Sequence, residues 1–304
     1  ASQSAAVRLD VAWQEWQVAQ QARLLVVRLA WVRRRVKLAR EELDFAERTA
    51  SAMGAAGRAR DVTLDQIGVQ RAAVEGVRRT LNQLEQVEVD AESALRALLG
   101  NPAIGKLEVA EPTSFIGREA RETNVDACLE GRLDLAALRR GYEARDEMLR
   151  AAILDQFPAV TVGLAYQHNE VALNFVGGFV NVDVPVFNRN QGPVALERAT
   201  RRRLGDAYAA RVASARGDLD RLSRFSSLIA SQLPRVHDSI APLEEVELKE
   251  REAVARGDVS RLSYQVVRSA LFDQRMQEAT VTQALAEARV AVQTTCGGEP
   301  GKRQ

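Results

Sequence analysis

The sequence predicts a mainly α-helical protein with a small β part, in which long antiparallel coiled-coil hairpins flank one β-hairpin. Apolar residues recur in alternating steps of four and three over residues 11–50 and 208–243, the pattern of a coiled-coil seam. Residues 157–192 change instead to a strict alternation of apolar and polar residues, which indicates strands. Two amphipathic strands are not stable alone in water, so we expect further strands from elsewhere in the chain or from other copies.

Residues 5–53 contain neither Pro nor Gly and are predicted to form one helix about 70 Å long. One apolar line along it is the seam itself, in which Glu15 fills the one gap in the spacing: Val11, Val18, Ala22, Leu25, Leu29, Val32, Val36, Ala39, Leu43, Ala46 and Ala50. A second line runs beside it: Leu9, Trp13, Trp16, Leu24, Val27, Trp31, Leu38 and Phe45. A helix with two apolar lines is expected to pack against neighbours on two sides.

Gly54, Gly57 and the polar run to Asp61 are predicted to end this helix, and either Asp61 or Thr63 to cap the next one. That second helix is predicted to continue to about Leu99, before a Gly-Asn-Pro stop. The two helices therefore form an antiparallel hairpin whose tip lies at residues 54–61.

The centre of the chain is predicted to contain an irregular linker with a short helix, then a helix over 132–156, then two strands. Phe157-Pro158 ends the helix and begins the first strand. The alternating apolar residues of the two strands are Val160, Val162, Leu164, Tyr166, Val180, Val182, Val184 and Val186. The polar residues between the strands, 167–174, form the connecting loop.

A second long helix is predicted after Pro193, interrupted or kinked at Pro234 and Pro242. A break at Arg256-Gly257-Asp258 separates it from a return helix over residues 260–295. The predicted organisation is thus a first long helical hairpin (1–99), a linker (100–131), a short helix (132–157), a β-hairpin (158–187), a second long helical hairpin (188–296) and a disordered tail (297–304).

The two hairpin tips are related by an internal repeat. GRARDVTLDQIGVQRA, starting at Gly57, is similar to RGDVSRLSYQVVRSA, starting at Arg256, and both place Gly ahead of Asp-Val-Thr/Ser. The return helices also end near a Gly in each half, at Gly100 and Gly297. The second half carries a β-hairpin ahead of its helices, so we infer that the first half lacks the equivalent strands.

Composition argues against several functions. The chain has 42 Lys and Arg against 41 Asp and Glu, without the basic excess expected of a nucleic-acid-binding protein. Two cysteines are too few for a disulfide framework or a cysteine-based zinc site, and the two histidines lie in no metal-ligand pattern. No nucleophile motif or Gly-rich phosphate loop is present. We therefore expect neither an enzyme nor a bound metal or cofactor.

Four sequence features together indicate a family. Arg132-Leu133-Asp134-Leu135 begins a helix, Phe157-Pro158 leads into a strand, Val184-Pro185-Val186-Phe187 ends a strand, and both tips contain Gly. With these features, residues 1–296 resemble the TolC-like outer membrane efflux proteins, the outer membrane factor family. Asn188-Arg189-Asn190-Gln191-Gly192 looks like the turn after the strands in the heavy-metal (cobalt–zinc–cadmium) branch.

The resemblance implies an outer-membrane exit duct of a tripartite efflux system, located in the bacterial outer membrane with its helices in the periplasm. Three chains would form a homotrimer, with a trimeric α-barrel of helical hairpins and an outer-membrane β-barrel to which the β-hairpin contributes. An inner-membrane transporter of the resistance-nodulation-division type would supply the energy, and a periplasmic adaptor protein would join the two. The duct would passively conduct substrates, with heavy-metal cations implied by the branch, from the periplasm to the exterior.

The resemblance also assigns residues. The tips would bind the adaptor and part to open the duct; their residues are Gly54, Gly57, Arg58, Arg60, Asp61, Arg256, Gly257, Asp258 and Ser260. The apolar face of the strands would contact outer-membrane lipid, while Asn181 and Asp183 would face the lumen. The alternative for the tips is that these are ordinary solvated turn residues, with Gly present because its backbone is permissive.

Some features depart from the family pattern. Leu133 stands where Pro is usual, and the chain shows no signal peptide, lipid-bearing Cys or first β-hairpin ahead of residue 1, which we interpret as an N-terminal truncation. Two alternative functions compete with the duct. A non-membrane coiled-coil scaffold explains the helices but not the strands, and a periplasmic adaptor would carry a single helical hairpin beside a small β-domain.

Overall fold

The computed structural model describes residues 2–58, 62–101, 105, 107–110, 124–168, 174–183 and 190–297. They form six helices and two strands, in the order α1 (Ser2–Arg58), α2 (Leu64–Leu98), α3 (Val125–Gly131), α4 (Leu133–Leu154), β1 (Ala159–His168), β2 (Asn174–Asp183), α5 (Gln191–Arg256) and α6 (Arg261–Cys296). None of the helices in these ranges is long and apolar enough to cross a membrane. The mainly α architecture with a small β-hairpin is confirmed.

The chain divides into two units. The first unit comprises residues 1–14 and 129–216, and the second comprises residues 15–128 and 217–304. Each unit combines segments of several of the predicted divisions (hairpins, linker and tail). The division of the chain made from the sequence therefore stays a prediction. The predicted disordered tail lies outside the described residues beyond Gly297, as does Val184–Phe187 after the second strand.

In the second unit, α1 packs on two sides, as its two apolar lines predicted. The seam contacts α2 through two clusters: Val32, Val36 and Ala39 with Leu81 and Leu84, and Leu25 and Leu29 with Ala91 and Leu95. The second line contacts α6 through one cluster: Val27 and Trp31 with Ala279, Ala286 and Val290. α1 therefore buries two narrow apolar seams on opposite flanks, and a third cluster, Ile229 with Val281 and Leu285, packs α5 against α6.

α1 ends at Arg58, within the break predicted over residues 54–61, and Gly54 and Gly57 themselves lie inside its last turns. A Gly inside a helix costs only about 1 kcal/mol relative to Ala, which packing can offset. At Gly57 a Cβ atom would lie 2.5 Å from Cδ1 of Ile67 in α2, so the missing side chain lets the two helices approach closely. Thr63 is the cap of α2, as one of the two predicted alternatives.

α5 runs without interruption for 66 residues, so Pro234 and Pro242 do not end it. Each Pro removes one backbone donor, but side chains between them attach α5 to α6. Ser239 Oγ donates to Gln274 Oε1 at 3.1 Å, and His237 Nδ1 lies 2.8 Å from Glu278 Oε1. The Glu278 carboxylate raises the pKa of His237 through this hydrogen bond.

A disulfide joins Cys128 in α3 to Cys296, the last residue of α6, across 168 residues of sequence. Composition indicated no disulfide framework, and the sequence analysis did not predict this single bond. A pairing over such a separation depends on the tertiary fold and leaves no local pattern. The two half-cystines are buried against Leu219 of α5, so the bond ties three helices of the second unit together.

In the first unit, the Arg-Leu-Asp-Leu motif forms a buried ion pair at the start of α4. Arg132 Nη2 donates to Asp134 Oδ2 at 2.7 Å, and both side chains are buried. The Arg132 guanidinium lies 4.8 Å from the ring centroid of Trp13 in α1, and Arg211 of α5 lies 3.6 Å from Asp134. The motif therefore holds three helices of this unit together.

Candidate functional site

The first hairpin tip connects α1 to α2, and the structure describes it up to Arg58 and from Val62 onward. Arg60 and Asp61, two of the predicted tip residues, lie outside the described residues. α2 begins with a capping box: Gln66 N donates to Thr63 Oγ1 at 3.3 Å, and Thr63 N donates to Gln66 Oε1 at 3.0 Å. This reciprocal pair fixes the chain direction at the tip. Arg58 is exposed.

The second tip is a tight turn built by its backbone. Asp258 N donates to Ala253 O at 2.9 Å and Gly257 N donates to Val254 O at 3.1 Å, the two bonds of a Schellman motif. Gly257 has φ +83°, the left-handed conformation that such a motif needs and that other residues rarely adopt. Ser260 then caps α6 by accepting a hydrogen bond from Ser263 N at 3.1 Å.

The two charges predicted at the second tip pair within their own turn. Arg256 Nε donates to Asp258 Oδ2 at 2.8 Å, with both side chains mostly exposed. This pair stabilises the turn but joins no two helical hairpins. The roles assigned to the tip residues in adaptor binding and opening therefore stay predictions, and the link between hairpins is found elsewhere in the second unit.

That link is a cluster that connects α1 to both helices of the second hairpin. We call it the Arg268 cluster; its members are Glu42 and Phe45 of α1, Glu247 of α5, and Tyr264 and Arg268 of α6. Arg268 Nε lies 3.3 Å from Glu42 Oε2, and Arg268 Nη1 lies 3.7 Å from Glu247 Oε1. The Arg268 Nε atom is not aligned for a hydrogen bond, so the contact with Glu42 is an ion pair.

Aromatic rings support the same arginine. The Arg268 guanidinium lies 4.2 Å from the ring centroid of Phe45, and this ring meets the ring of Tyr264 edge-on at 5.4 Å. The Tyr264 hydroxyl donates to the Glu247 carboxylate. Partial burial, reinforced by this hydrogen bond, raises the pKa of Tyr264 above its ordinary value.

Burial sets the electrostatics of the Arg268 cluster. The Glu42 side chain is 4% exposed, whereas that of Arg268 is 29% exposed. Burial raises the pKa of Glu42, and Arg268 partly opposes this by favouring the charged form. An ionised carboxylate so far from water depends strongly on the positive charge of Arg268.

No local pattern in the sequence marks the Arg268 cluster. Glu42 lies among many charged residues of α1, and nothing in its spacing separates it from the solvated ones. A weak signal was the position of Tyr264 and Arg268 in the first two turns of α6, close to the recognised tip. Only the packing of α1 against α6 shows that these residues meet Glu42.

The β-hairpin places its apolar side chains on one face. The two strands are antiparallel, with Val160 opposite Val182, Val162 opposite Val180, and Tyr166 opposite Val176. All these side chains are exposed to solvent in the single chain. Two strands with an exposed row of apolar side chains on one face need a partner surface.

The other face of the hairpin carries Asn181 opposite Thr161, and in the strand register Asp183 pairs with Ala159. Their assignment to the lumen stays a prediction. Phe179 lies on this face too, over Gly163, where a Cβ atom would be 2.5 Å from the ring. The face is therefore not purely polar, since an aromatic ring covers the glycine of the opposite strand.

We also searched the described residues for a metal centre. No group of three or more His, Cys, Asp or Glu side chains within these ranges lies close enough together to hold a metal ion. The candidate site therefore consists of the two tips, the Arg268 cluster and the β-hairpin.

Comparison with solved structures identifies the same fold in outer membrane proteins. Crystal structures of CusC, which concern folding and transmembrane channel formation, give a TM-score of 0.79 at 16% identity over 98% of this chain and 72% of that one. The outer membrane protein VceC from Vibrio cholerae gives 0.77 at 16% identity, over 98% and 74%. The Campylobacter jejuni CmeC outer membrane channel gives 0.77 at 13% identity, over 99% and 67%.

The sequence itself gives no such match. No protein-family model matches the chain, and no curated protein matches its sequence. The fold is nevertheless shared over nearly the whole chain. This chain has the helical-hairpin and β-hairpin fold of these outer membrane channels, as the sequence resemblance predicted.

Proposed function

We propose that this chain is a subunit of the outer-membrane exit duct of a tripartite efflux system. The observation that carries the proposal is the fold, shared over 98% of the chain with CusC, whose structures concern transmembrane channel formation. The duct conducts its cargo passively from the periplasm to the exterior. The proposal includes no catalytic role, since a conduit needs an open path and a gate but no reacting groups.

The β-hairpin explains why several copies are required. Its apolar face is exposed, and two strands alone are not stable in water. In a closed barrel to which each of three copies contributes its hairpin, the strand edges would pair with neighbouring strands and the apolar face would turn to lipid. We therefore propose a homotrimer in the bacterial outer membrane.

The disulfide supports a location of the helices in the periplasm. Disulfides persist in oxidising compartments such as the bacterial periplasm and are rare in the cytosol. The Cys128–Cys296 bond belongs to the helical second unit, so this unit is the part that would lie in the periplasm. This argument is independent of the comparisons with solved structures.

The two tips are the proposed docking points of a periplasmic adaptor, which connects the duct to an inner-membrane transporter of the resistance-nodulation-division type. Each tip carries a Gly with a structural reason: Gly57 leaves room for the Ile67 side chain, and Gly257 adopts the left-handed conformation of the second turn, at φ +83°. We further propose heavy-metal cations as the cargo, on the resemblance of residues 188–192 to the heavy-metal branch. A wide aqueous duct can conduct such ions as cargo without a resident metal site.

We propose that the Arg268 cluster holds the duct closed. Its ion pairs join α1 of the first hairpin to α5 and α6 of the second, close to the end where α5 and α6 meet. Separation of the hairpins at this end requires that Arg268 leave Glu42. The residues that keep the tips together would then be these, rather than Arg256 and Asp258.

The test is the oligomeric mass and the conductance of the detergent-solubilised chain. We expect a trimer by light scattering, and ion conductance after reconstitution into planar bilayers. A monomer or dimer of the same mass with and without detergent, and no conductance, would contradict the duct and favour the coiled-coil scaffold.

A further inference from the structure

Three consecutive arginines near the start of α5 differ in their surroundings. Arg201 points toward α4, where it pairs with Asp146 and lies 5.6 Å from the ring centroid of Tyr142. Arg202 and Arg203 are exposed, and neither forms an ion pair or hydrogen bond in the described part of the chain. Arg198, one turn earlier, is exposed and unpaired in the same way. Arg201 is therefore structural, whereas Arg198, Arg202 and Arg203 have no charged partner among the described residues.

Exposed apolar side chains lie between these arginines and the β-hairpin. Leu154 and Phe157, at the end of α4, are 67% and 65% exposed, and Leu196, in the second turn of α5, is 65% exposed. The two helix ends lie together, because Val194 packs against Ala152. We call Leu154, Phe157 and Leu196 the apolar collar.

The chain thus presents three zones in order: the apolar hairpin face, the apolar collar, and the free arginines. Arg203 follows Leu196 by seven residues, about 10 Å along the helix. A bilayer leaflet has the same order, from hydrocarbon through the interface to the phosphates. Long arginine side chains at the end of an apolar surface reach the phosphate level readily.

We propose that Arg198, Arg202 and Arg203 form a binding surface for the phosphates of anionic phospholipids. The inference rests on the proposed function, which places the hairpin in a bilayer. A guanidinium matches a phosphate with two parallel hydrogen bonds, and three free cations favour an anionic leaflet over a zwitterionic one. The exposed acids nearby, Asp155 and Asp206, form no ion pair with them in the described residues.

The experiment measures binding of the full chain to two kinds of vesicle, one of phosphatidylcholine alone and one that also contains phosphatidylglycerol. Binding is followed by co-sedimentation at about 0.1 M and about 1 M salt, where the screening length falls from about 10 Å to about 3 Å. We expect tighter binding to the anionic vesicles at the lower salt, and equal binding to both at the higher salt.

The test variant carries Arg198→Gln, Arg202→Gln and Arg203→Gln together. We expect its affinity for anionic vesicles to fall by about fivefold per arginine, with affinity for neutral vesicles unchanged. The matched control removes three other exposed, unpaired arginines, from the second unit: Arg79→Gln, Arg235→Gln and Arg251→Gln. It loses the same net charge, and we expect it to bind anionic vesicles like the unmodified chain.

Each outcome decides a different claim. Equal binding of the unmodified chain to both vesicles at low salt would overturn the phosphate surface and leave the membrane duct standing. If the control variant loses as much affinity for anionic vesicles as the test variant, net charge rather than this surface drives binding, and the phosphate surface is overturned too. No binding to either vesicle would contradict insertion of the hairpin, and with it the proposed function.

Discussion

Substitution of Arg268 by Gln tests whether the cluster around it joins the two hairpins. The change removes the positive charge beside Glu42, whose side chain is 4% exposed. Removal of one partner of a buried ion pair costs about 3–5 kcal/mol, because the remaining charge is left without compensation. Arg268 is itself partly exposed, so water can enter its place, and we expect a loss of about 3 kcal/mol.

The assay is urea unfolding of the detergent-solubilised chain, followed by far-UV circular dichroism at neutral pH. Arg28→Gln is the matched control, because Arg28 also joins α1 to α6, through Glu287 at 3.3 Å. Its side chain is 43% exposed, and an ion pair so open to water contributes about 0–1 kcal/mol. A second control, Glu42→Leu with Arg268→Met, removes both charges and should recover much of the loss.

The loss should also depend on pH. Burial raises the pKa of Glu42 in the folded chain above its ordinary value near 4.5. The protonated carboxyl therefore contributes to the stability of the folded state at low pH, and this contribution is lost as the pH rises through the raised pKa. Without Arg268, which opposes the shift, the pKa rises further. The difference in stability between the variant and the unmodified chain should therefore shrink as the pH falls. It should be largest above the pKa that Glu42 has in the folded variant, which is the higher of the two.

Two results would refute this reasoning. A loss for Arg268→Gln no larger than that for Arg28→Gln would show that the cluster is an ordinary surface contact. A loss that does not change with pH would show that an unpaired Glu42 carboxylate is not its cause. Conductance adds a functional readout, since a weakened cluster should raise the open probability of the reconstituted duct, while Arg28→Gln should leave it unchanged.

Three further predictions concern other parts of the chain. Replacement of Cys128 and Cys296 by Ser should lower the free energy of unfolding by about 2–5 kcal/mol; a reductant should destabilise the unmodified chain similarly and leave the double variant unaffected. Thr63→Ala should cost about 1 kcal/mol and speed amide hydrogen exchange in the first turn of α2 only, whereas Thr63→Ser should change neither. Gly163→Ala should destabilise the trimer by about 1–3 kcal/mol, since the new methyl would overlap the Phe179 ring, and Gly177→Ala, which meets open space, should not.

Local patterns were sufficient to predict most of the fold. The four-three spacing that includes Leu29 and Val36 predicted both the length of α1 and its contact with α2, because a long helix can bury only a regularly spaced line of side chains. Period-two alternation likewise located both strands. These features are encoded within a few turns of chain, so a single sequence reveals them.

Features that depend on tertiary packing were not predictable in the same way. Gly57 was predicted to lie in the break after α1. It lies inside the helix instead, where it packs against the Ile67 side chain. The Cys128–Cys296 bond and the Glu42–Arg268 ion pair join residues 168 and more than 200 positions apart. Nothing local distinguishes Glu42 from the solvated acids beside it, so the central part of the candidate site appeared only in the structure.

The two long-range links act on the same helix in different ways. α6 is held at its last residue by the covalent Cys128–Cys296 bond, and near its first turns by the ion pairs of Arg268. The two attachments are 28 residues apart, about 42 Å along a straight helix. Ion pairs can exchange partners with water, while the disulfide is not broken in an oxidising compartment.

If the hairpins separate during opening, the helix must therefore move at its Arg268 end and stay fixed at Cys296. Movement of the Cys296 end would contradict this, and a spin label at exposed Val266 should report far larger distance changes on opening than one at Gln293.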